Sequence, residues 1–467
     1  MNSLEDFIRE IINKSIHIVG VTGAEGSSIL RFLRKHSIAN ITVHDFLREG
    51  PLEKSFKLWH KGVKWEDRDK LFWQFQKDLE GLKFYSQDNY LKKVTEADII
   101  FVPQSWRLYK EINSPLFEAK KKNIPFYSLT RLYLDFAQAQ IIGVTGTVGK
   151  GSTANLLVKT LEASQKKTFF AGNETWMLQV ADKLDEMKKN DILVLEISHR
   201  QLLDGFTRAP HIVVFTNLYP NHLDEVSWEE YKNVKFSLLE KQKTQDYAVI
   251  NYDSLELQRE AKRLQSKVLY FSSNNIEVNT KDVQKIYSEI MDKNSVHYLE
   301  NILAVSTVAN ILDIASDCVL TGVSNTKPLP ARLEYLGRIS GIEFYDDIKS
   351  TTPWATGAAL NKLKNNIILI CGGKTKGIDY REFIQNGQKK VKFVFILESE
   401  LSFKLSNYLS VGSYQIVDSL EKAIKHAFNK ASKEDKIVVS PAASFFYTDF
   451  IKGKKSIRKL MKELASS

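Results

Sequence analysis

The sequence predicts an α/β protein of three domains, each a mostly parallel sheet flanked by helices. Short β-rich runs alternate with helical periods along nearly the whole chain, the pattern of parallel strands joined by crossover helices. The strand candidates are apolar on both faces, as strands are when helices cover both sides of their sheet. At 467 residues the chain is also too long for one ordinary core, and length alone suggests about three domains.

The first domain is expected over residues 1–139. Its opening run, MNSLEDFIREIINK, is amphipathic and carries acidic residues, so it reads as a helix rather than an export signal. IHIVGVTG (16–23) then reads as a strand, followed by a helix through Arg34 and strands at ITVHDF (41–46), ADIIFVP (97–103) and NIPFYSL (123–129). Together these make a small doubly wound, Rossmann-like unit. Between them lies a stretch rich in Trp, Phe and Lys (52–80), whose aromatic residues most commonly serve as core. The turn Gly20-Val-Thr-Gly23-Ala-Glu-Gly26 is either a plain tight βα turn or a second diphosphate site.

The second domain, 140–327, starts with the strand–turn–helix run QIIGVTGTVGKGSTANLLVKTLEAS. Further strands are expected at DILVLEIS (191–198), HIVVFTN (211–217), YAVIN (247–251) and KVLYFS (267–272), with a closing helix at 299–314. TKPLPARLEYLG (326–337), with two prolines, is the expected linker. The third domain, 328–467, holds strands EFYDD (343–347), NIILICGG (366–373), KFVFIL (392–397) and KIVVSP (436–441).

Composition narrows the function. The chain is 43% hydrophobic with no apolar run near the ~20 residues of a membrane span, so no membrane insertion is expected. Two distant cysteines, Cys318 and Cys371, argue against a disulfide framework or a zinc cluster and fit a reducing cytoplasm. The net charge of +10 comes from lysines spread among carboxylates, with no aromatic-and-basic motif, so nucleic acid is not the expected partner.

The run Gly143-Val-Thr-Gly146-Thr147-Val-Gly149-Lys150 sits where a phosphate-binding loop belongs. Glycines let backbone amides converge on phosphate oxygens, the helix N-terminus adds positive potential, and Lys150 reaches the terminal phosphates. The residue after the lysine, where a magnesium-ligating hydroxyl is usual, is Gly151; either Ser152 or Thr153, which follow, takes the role, or the loop binds nucleotide and manages its metal differently.

With these residues in view, the chain resembles the Mur ligases of peptidoglycan synthesis, nearest to the branch that adds D-glutamate to UDP-N-acetylmuramoyl-L-alanine. The likeness runs in order through VTGTVGKGST (144–153), AGNETW (171–176), LVLEISHRQL (193–202), TNLYPNHLD (216–224), YKNVK (231–235), ENILA (300–304), ARLEYLG (331–337), YDDIKSTTPWAT (345–356), CGGKTKGIDY (371–380) and SPAASF (440–445). It implies a cytoplasmic, monomeric ligase in which ATP, with magnesium, phosphorylates a carboxylate and an amine then attacks the acyl phosphate.

The resemblance also assigns residues. Gly146, Thr147, Gly149, Lys150, Gly151, Ser152, Asn301, Arg332, Asp347 and Lys349 would contact ATP. Glu196, His222, Ser152 and Lys235, the last as a carbamate, would hold magnesium, and Lys150, Glu196, His222 and Lys235 form the catalytic set. Gly23 would meet the nucleotide sugar, and Thr351, Lys376, Ser444 and Phe450 the incoming glutamate. From the residues alone, each has a plainer reading: a solvated glutamate or histidine, a surface lysine on a helix, an exposed loop ion pair at Asp347 and Lys349. Departures from the family pattern are Asn221 in place of Asp, Tyr298 in place of Asn, and Val102-Pro103-Gln104-Ser105-Trp106 where a Ser-Pro-Gly turn is usual. They leave open a related ligase using L-glutamate or another acceptor, or a nucleotide-binding paralogue without turnover.

Overall fold

The computed structural model describes residues 3–47, 51–60, 62–173, 178–292, 299–326, 329–387, 389–444 and 457–464. The chain folds as two compact units, Met1–Leu218 with Lys232–Thr326, and Tyr219–Tyr231 with Lys327–Ser467. Phe450 and Tyr298, and part of the AGNETW run, lie outside the described residues.

The first unit opens with α1 (Leu4–Ile11), β1 (Ile16–Val19), α2 (Ala24–Lys35), β2 (Ile41–Asp45), α3 (Leu52–Trp59), α4 (Trp65–Leu79), β3 (Lys83–Ser86), β4 (Ile99–Phe101), α5 (Ser114–Lys121), β5 (Phe126–Tyr127) and α6 (Leu129–Phe136). The five strands pair in parallel in the order β3-β2-β1-β4-β5. The order reverses at β1, so the β1–α2 turn lies at the carboxyl edge where such sheets hold ligands. Gly26 is needed there because a Cβ would stand 2.3 Å from the Gly20 carbonyl oxygen. The aromatic stretch resolves into α3 and α4 and divides in role. Phe56 and Phe75 are buried and stacked at 4.6 Å, as core. Trp59 and Trp73, 52% and 57% exposed, are not.

The same unit continues through β6 (Gln140–Thr145), α7 (Lys150–Ala163), β7 (Thr168–Gly172), β8 (Ile192–Glu196), α8 (His199–Leu202), β9 (Ile212–Phe215), α9 (Trp228–Glu240, its part from Lys232 onward), β10 (Tyr247–Asn251), α10 (Leu255–Ala261), β11 (Lys267–Phe271), α11 (Lys281–Asp292), α12 (Leu299–Ile311) and α13 (Ser316–Asn325). Its sheet is wholly parallel, ordered β11-β10-β9-β6-β8-β7. Leu157 and Leu161 of α7 and Leu303 and Val308 of α12 join Ile142, Val194 and Val214 in one core. The two sheets of this unit are tied by Arg107, which donates to both carboxylate oxygens of the buried Asp204, and by the Trp106 indole N–H on the same group at 3.2 Å.

The second unit holds β12 (Glu334–Ile339), β13 (Ile342–Asp346), α14 (Pro353–Leu363), β14 (Ile367–Gly372), α15 (Arg381–Gly387), β15 (Val391–Leu397), α16 (Glu400–Ser406), β16 (Tyr414–Val417), α17 (Leu420–Lys430) and β17 (Lys436–Ala442). The order is β12-β13-β17-β14-β15-β16, parallel except for the β12–β13 hairpin. Ser340 and Gly341 turn that hairpin with φ of 52° and 85°, the left-handed pair that matches strand twist. The expected linker is therefore shorter than 326–337, because its last residues are already strand. The segment Tyr219–Tyr231 packs here: Tyr219 stacks on Trp354 at 5.0 Å and 6°, and the Leu223 N–H donates to the Lys376 carbonyl at 3.1 Å.

Candidate active site

The loop between β6 and α7 is built on backbone that side chains would spoil. Gly146 has φ +140°, and a Cβ there would lie 2.0 Å from Thr216 Oγ1. Gly149, at φ +86°, would bring a Cβ within 3.0 Å of Asn301 Oδ1, which places Asn301 beside the loop. Thr216 and Asn217, just past β9, hold the loop in place. The Thr147 N–H donates to the Asn217 carbonyl at 3.0 Å, the Val148 N–H to Asn217 Oδ1 at 2.8 Å, and Thr216 Oγ1 to the Val148 carbonyl at 2.7 Å. Sequence reasoning quoted this Thr-Asn pair but gave it no task; two hydrogen-bonding side chains capping an apolar strand were the signal.

Two lysines converge on one oxygen of that loop. Lys150 Nζ donates to the carbonyls of Gly146 and Thr147, both at 3.1 Å. Lys235 Nζ donates to the same Gly146 carbonyl at 2.8 Å and to Thr145 Oγ1 at 3.2 Å. The surface reading of Lys235 fails: it is 1% exposed. Burial holds its ammonium well below the ordinary lysine range, the Lys150 cation pushes the same way, and the Glu196 carboxylate opposes them. A neutral amine is therefore accessible to Lys235 at a pH where a solvated lysine is charged.

Glu196 ends β8 at the carboxyl edge of the sheet and is 3% exposed. Asn173 donates to its Oε1 through Nδ2 at 3.0 Å and to its carbonyl through N–H at 2.8 Å. Gly172 must be glycine for this approach, since a Cβ would stand 2.2 Å from the Glu196 carbonyl oxygen. Gly151 is buried, Ser152 is half-buried in the first turn of α7, and the Thr153 hydroxyl is buried with no hydrogen-bond partner among the described residues. Carboxylate and hydroxyl oxygens are the hard donors magnesium selects, and the glycine loop suits a polyphosphate, so these residues fit both groups.

In the second unit, His222 adopts φ +59° and its Nδ1 lies 2.9 Å from Glu225 Oε1. Asp347, 2% exposed, is no exposed loop partner. Burial raises its carboxyl to about 6 against hydrogen bonds from Ser440, Ser350 and the Leu333 N–H and the cation of Arg332. Lys349 is half-buried, its N–H donating to the Ala331 carbonyl at 3.1 Å. Three of the residues assigned to the incoming amino acid gather around the loop after β14. Lys376, 8% exposed and at φ +55°, donates Nζ to the Thr351 carbonyl at 3.4 Å. Ser444 is paired with Lys374 through a short backbone bridge.

In the first sheet, Gly23 is the N-cap of α2, its N–H bonded to the Gly20 carbonyl at 3.0 Å. Two residues there carried no sequence assignment. Glu25 Oε2 accepts the Gln104 N–H at 2.9 Å, and burial raises the Glu25 carboxyl to about 7. Gln104 Oε1 accepts the Ser198 hydroxyl at 2.8 Å, which ties the unusual Val-Pro-Gln-Ser-Trp turn to the start of α8.

Comparison with known proteins follows the same ground. Residues 144–312 match the Mur ligase middle domain, and residues 331–443 match the Mur ligase, glutamate ligase domain. A UDP-N-acetylmuramoylalanine–D-glutamate ligase of Caldanaerobacter subterraneus subsp. tengcongensis is 32% identical over 365 residues, covering 74% of this chain and 80% of that protein. The chain belongs to the Mur ligase family. Mur ligases are ATP-dependent ligases, and this one is an enzyme of that class. The protein of the same name from Acetivibrio thermocellus is 28% identical over 493 residues, covering 99% of this Mur ligase and 98% of its own length. Among solved structures, the UDP-N-acetylmuramate–alanine ligase of Thermotoga maritima aligns with TM-score 0.57 at 15% identity over 97% of this chain and 100% of that one. A MurF ligase from Thermotoga maritima, in complex with ADP, gives 0.54 at 17% over 85% and 92%. These two likenesses concern the multi-domain α/β fold. Among the described residues of this Mur ligase, no helix is long and apolar enough to cross a membrane.

Proposed function

We propose that this Mur ligase joins D-glutamate to UDP-N-acetylmuramoyl-L-alanine, using ATP, in the cytoplasmic part of peptidoglycan synthesis. The convergence of Lys150 and the buried Lys235 on the Gly146 carbonyl, with Glu196 bearing on Lys235, is the observation that carries it. The names of its relatives supply the substrates.

In this reading the loop amides and Lys150 hold the ATP phosphates, while Asn301, Arg332, Asp347 and Lys349 hold the rest of the nucleotide. Glu196, His222, Ser152 and a carbamylated Lys235 would hold magnesium. The carbamate forms when the neutral Lys235 amine attacks carbon dioxide and loses a proton, turning a cation into an anionic ligand. Bound magnesium would neutralise charge on the phosphates during transfer. The L-alanine carboxylate attacks the γ-phosphorus and ADP leaves. The D-glutamate amine, with its carboxylates on Lys376, Thr351 and Ser444 and with Phe450 completing the pocket, then attacks the acyl carbon and gives up a proton, and phosphate leaves from the tetrahedral intermediate. Gly23 would meet the UDP-sugar, and the chain would act as a monomer of three domains divided at 139/140 and 327/328.

The deciding experiment is phosphate release from ATP and magnesium with UDP-N-acetylmuramoyl-L-alanine and either D- or L-glutamate, beside Lys150→Ala. Release that requires the nucleotide sugar and D-glutamate, and is lost in the variant, supports the reading. Release with L-glutamate alone keeps the mechanism and changes the product. ATP binding without release under either condition overturns the reading in favour of another acceptor, towards which the tied-down Val102–Trp106 turn points, or of a binding protein.

A further inference from the structure

Two runs singled out in the sequence, YDDIKSTTPWAT and SPAASF, each contain a buried hydroxyl with no task so far. Ser440 on β17 and Thr356 on α14 are both 0% exposed. Ser440 Oγ lies 2.6 Å from Asp347 Oδ2 and 2.8 Å from Thr356 Oγ1. An ionised carboxylate only accepts, so the single Ser440 proton goes to Asp347, and Thr356 then donates its own to Ser440. Thr356 Oγ1 also lies 3.4 Å from the Ser350 carbonyl, the longer of its two contacts, so its proton goes to the nearer Ser440 and donation runs Thr356 to Ser440 to Asp347.

The remaining contacts of Asp347 are equally specific. Oδ1 accepts the Leu333 N–H at 2.8 Å, and the Asp347 N–H donates to the carbonyl of Val439, next to Ser440, at 2.9 Å. The Ser350 side chain is a further donor, and Arg332 is the charged group that bears on the carboxylate among the described residues. A carboxylate offers about four acceptor positions. Among the described residues Leu333, Ser440 and Ser350 take three, which leaves one for a donor from outside the protein.

We propose that Thr356 and Ser440 are positioning residues for the nucleotide: a two-hydroxyl relay that keeps Asp347 ionised and turned so that its last acceptor position receives a hydroxyl of ATP. The proposal rests on the reading of Asp347 as an ATP contact. Burial alone favours a neutral Asp347, and a neutral carboxyl is a poorer acceptor; the relay counters this at the oxygen it touches.

The test is the pH dependence of KM for ATP between pH 5.5 and 8.5 in the full-length enzyme, for wild type, Ser440→Ala, Thr356→Val, Thr356→Ser and Asp347→Asn. In wild type KM for ATP should rise as pH falls through about 6. Ser440→Ala should move that rise upward by about one pH unit and raise KM for ATP at pH 7 by about 10-fold. Its kcat at saturating ATP and its KM for the amino acid should stay within about twofold. Thr356→Val should shift the profile less in the same direction, and Thr356→Ser should restore it. An unshifted profile in a Ser440→Ala or Thr356→Val protein that melts normally overturns the relay, as does an equal rise in the KM of every substrate. If Ser440→Ala does not fold, Thr356→Val and Thr356→Ser decide alone. An unchanged KM for ATP in Asp347→Asn sinks the ATP reading of Asp347 itself, a separate failure.

Discussion

Lys235 Nζ lies 2.8 Å from the Gly146 carbonyl oxygen, inside the loop expected to hold phosphate and shut away from solvent. A buried cation beside Lys150 is costly, and shedding a proton relieves it. The neutral amine is the form that captures carbon dioxide. Lys235→Ala should lower kcat by about 100-fold or more, and Lys235→Arg, whose guanidinium stays charged, should not rescue it. Labelled bicarbonate should give a carbamate carbon signal in wild type that is missing in both variants. A signal that persists in Lys235→Ala would place the carbamate elsewhere.

Gly146→Ala should disable the phosphate loop without unfolding the protein. The added methyl would stand 2.0 Å from Thr216 Oγ1 on a backbone of φ +140°, so the loop must move. A displacement near 1 Å costs about 100-fold in rate. Steady-state kinetics should show at least that loss in kcat/KM for ATP, with a melting curve close to wild type. Retention of wild-type kcat/KM would mean that the loop tolerates the shift.

Asp204 is buried and holds Arg107 in a two-pronged ion pair, with Lys120 at 3.5 Å and the Trp106 indole on the same oxygens. Asp204→Asn keeps the volume and removes the charge. Because both cations are partly hydrated, the expected cost is about 2–3 kcal/mol rather than that of a fully buried orphan. Urea unfolding should show it as a lower midpoint at unchanged slope.

The first sheet should be acid-labile. His17 Nδ1 and His44 Nε2 are 2.9 Å apart in the buried β1–β2 pair, and burial holds the two imidazoles down at about 4 and about 3. Both are lowered below the unfolded value, so their neutral forms belong to the folded state. Their contribution is present above pH 6.5 and is lost as pH falls from there through about 4 and about 3. Between pH 7.5 and pH 5 these two imidazoles should together cost about 4 kcal/mol of stability, about 2 kcal/mol from each. His17→Phe with His44→Phe should flatten that slope; an unchanged slope would assign the loss to other groups.

What the sequence revealed follows a physical line. Strands inside each sheet were anticipated, because helices on both faces make them continuously apolar. β3, β7, β12 and β16 were not, and each lies at the edge of its sheet, where partial exposure removes the apolar signature. The phosphate loop was legible because its backbone demands glycine. Lys235 and Asp347 were legible as motif letters but not as buried groups, since helical period and loop position do not report what packs on top. Thr216, Asn217, Glu25 and Ser440 act through contacts made by residues far apart in the chain, and short sequence windows do not contain those partners.

The segment Tyr219–Tyr231 belongs to the second compact unit although the ribosome makes it long before the rest of that unit. Among the described residues Trp354 has no stacking partner but Tyr219, and neither that stack nor the Leu223 N–H bond to the Lys376 carbonyl forms until chain from both sides of Lys232–Thr326 has come together. Vectorial synthesis therefore cannot finish the second unit from nascent chain alone, and must keep an early stretch waiting for a late one. A fragment starting at Lys327, expressed alone, would emerge with one wall missing, and supplying the peptide 219–231 separately would be the way to mend it.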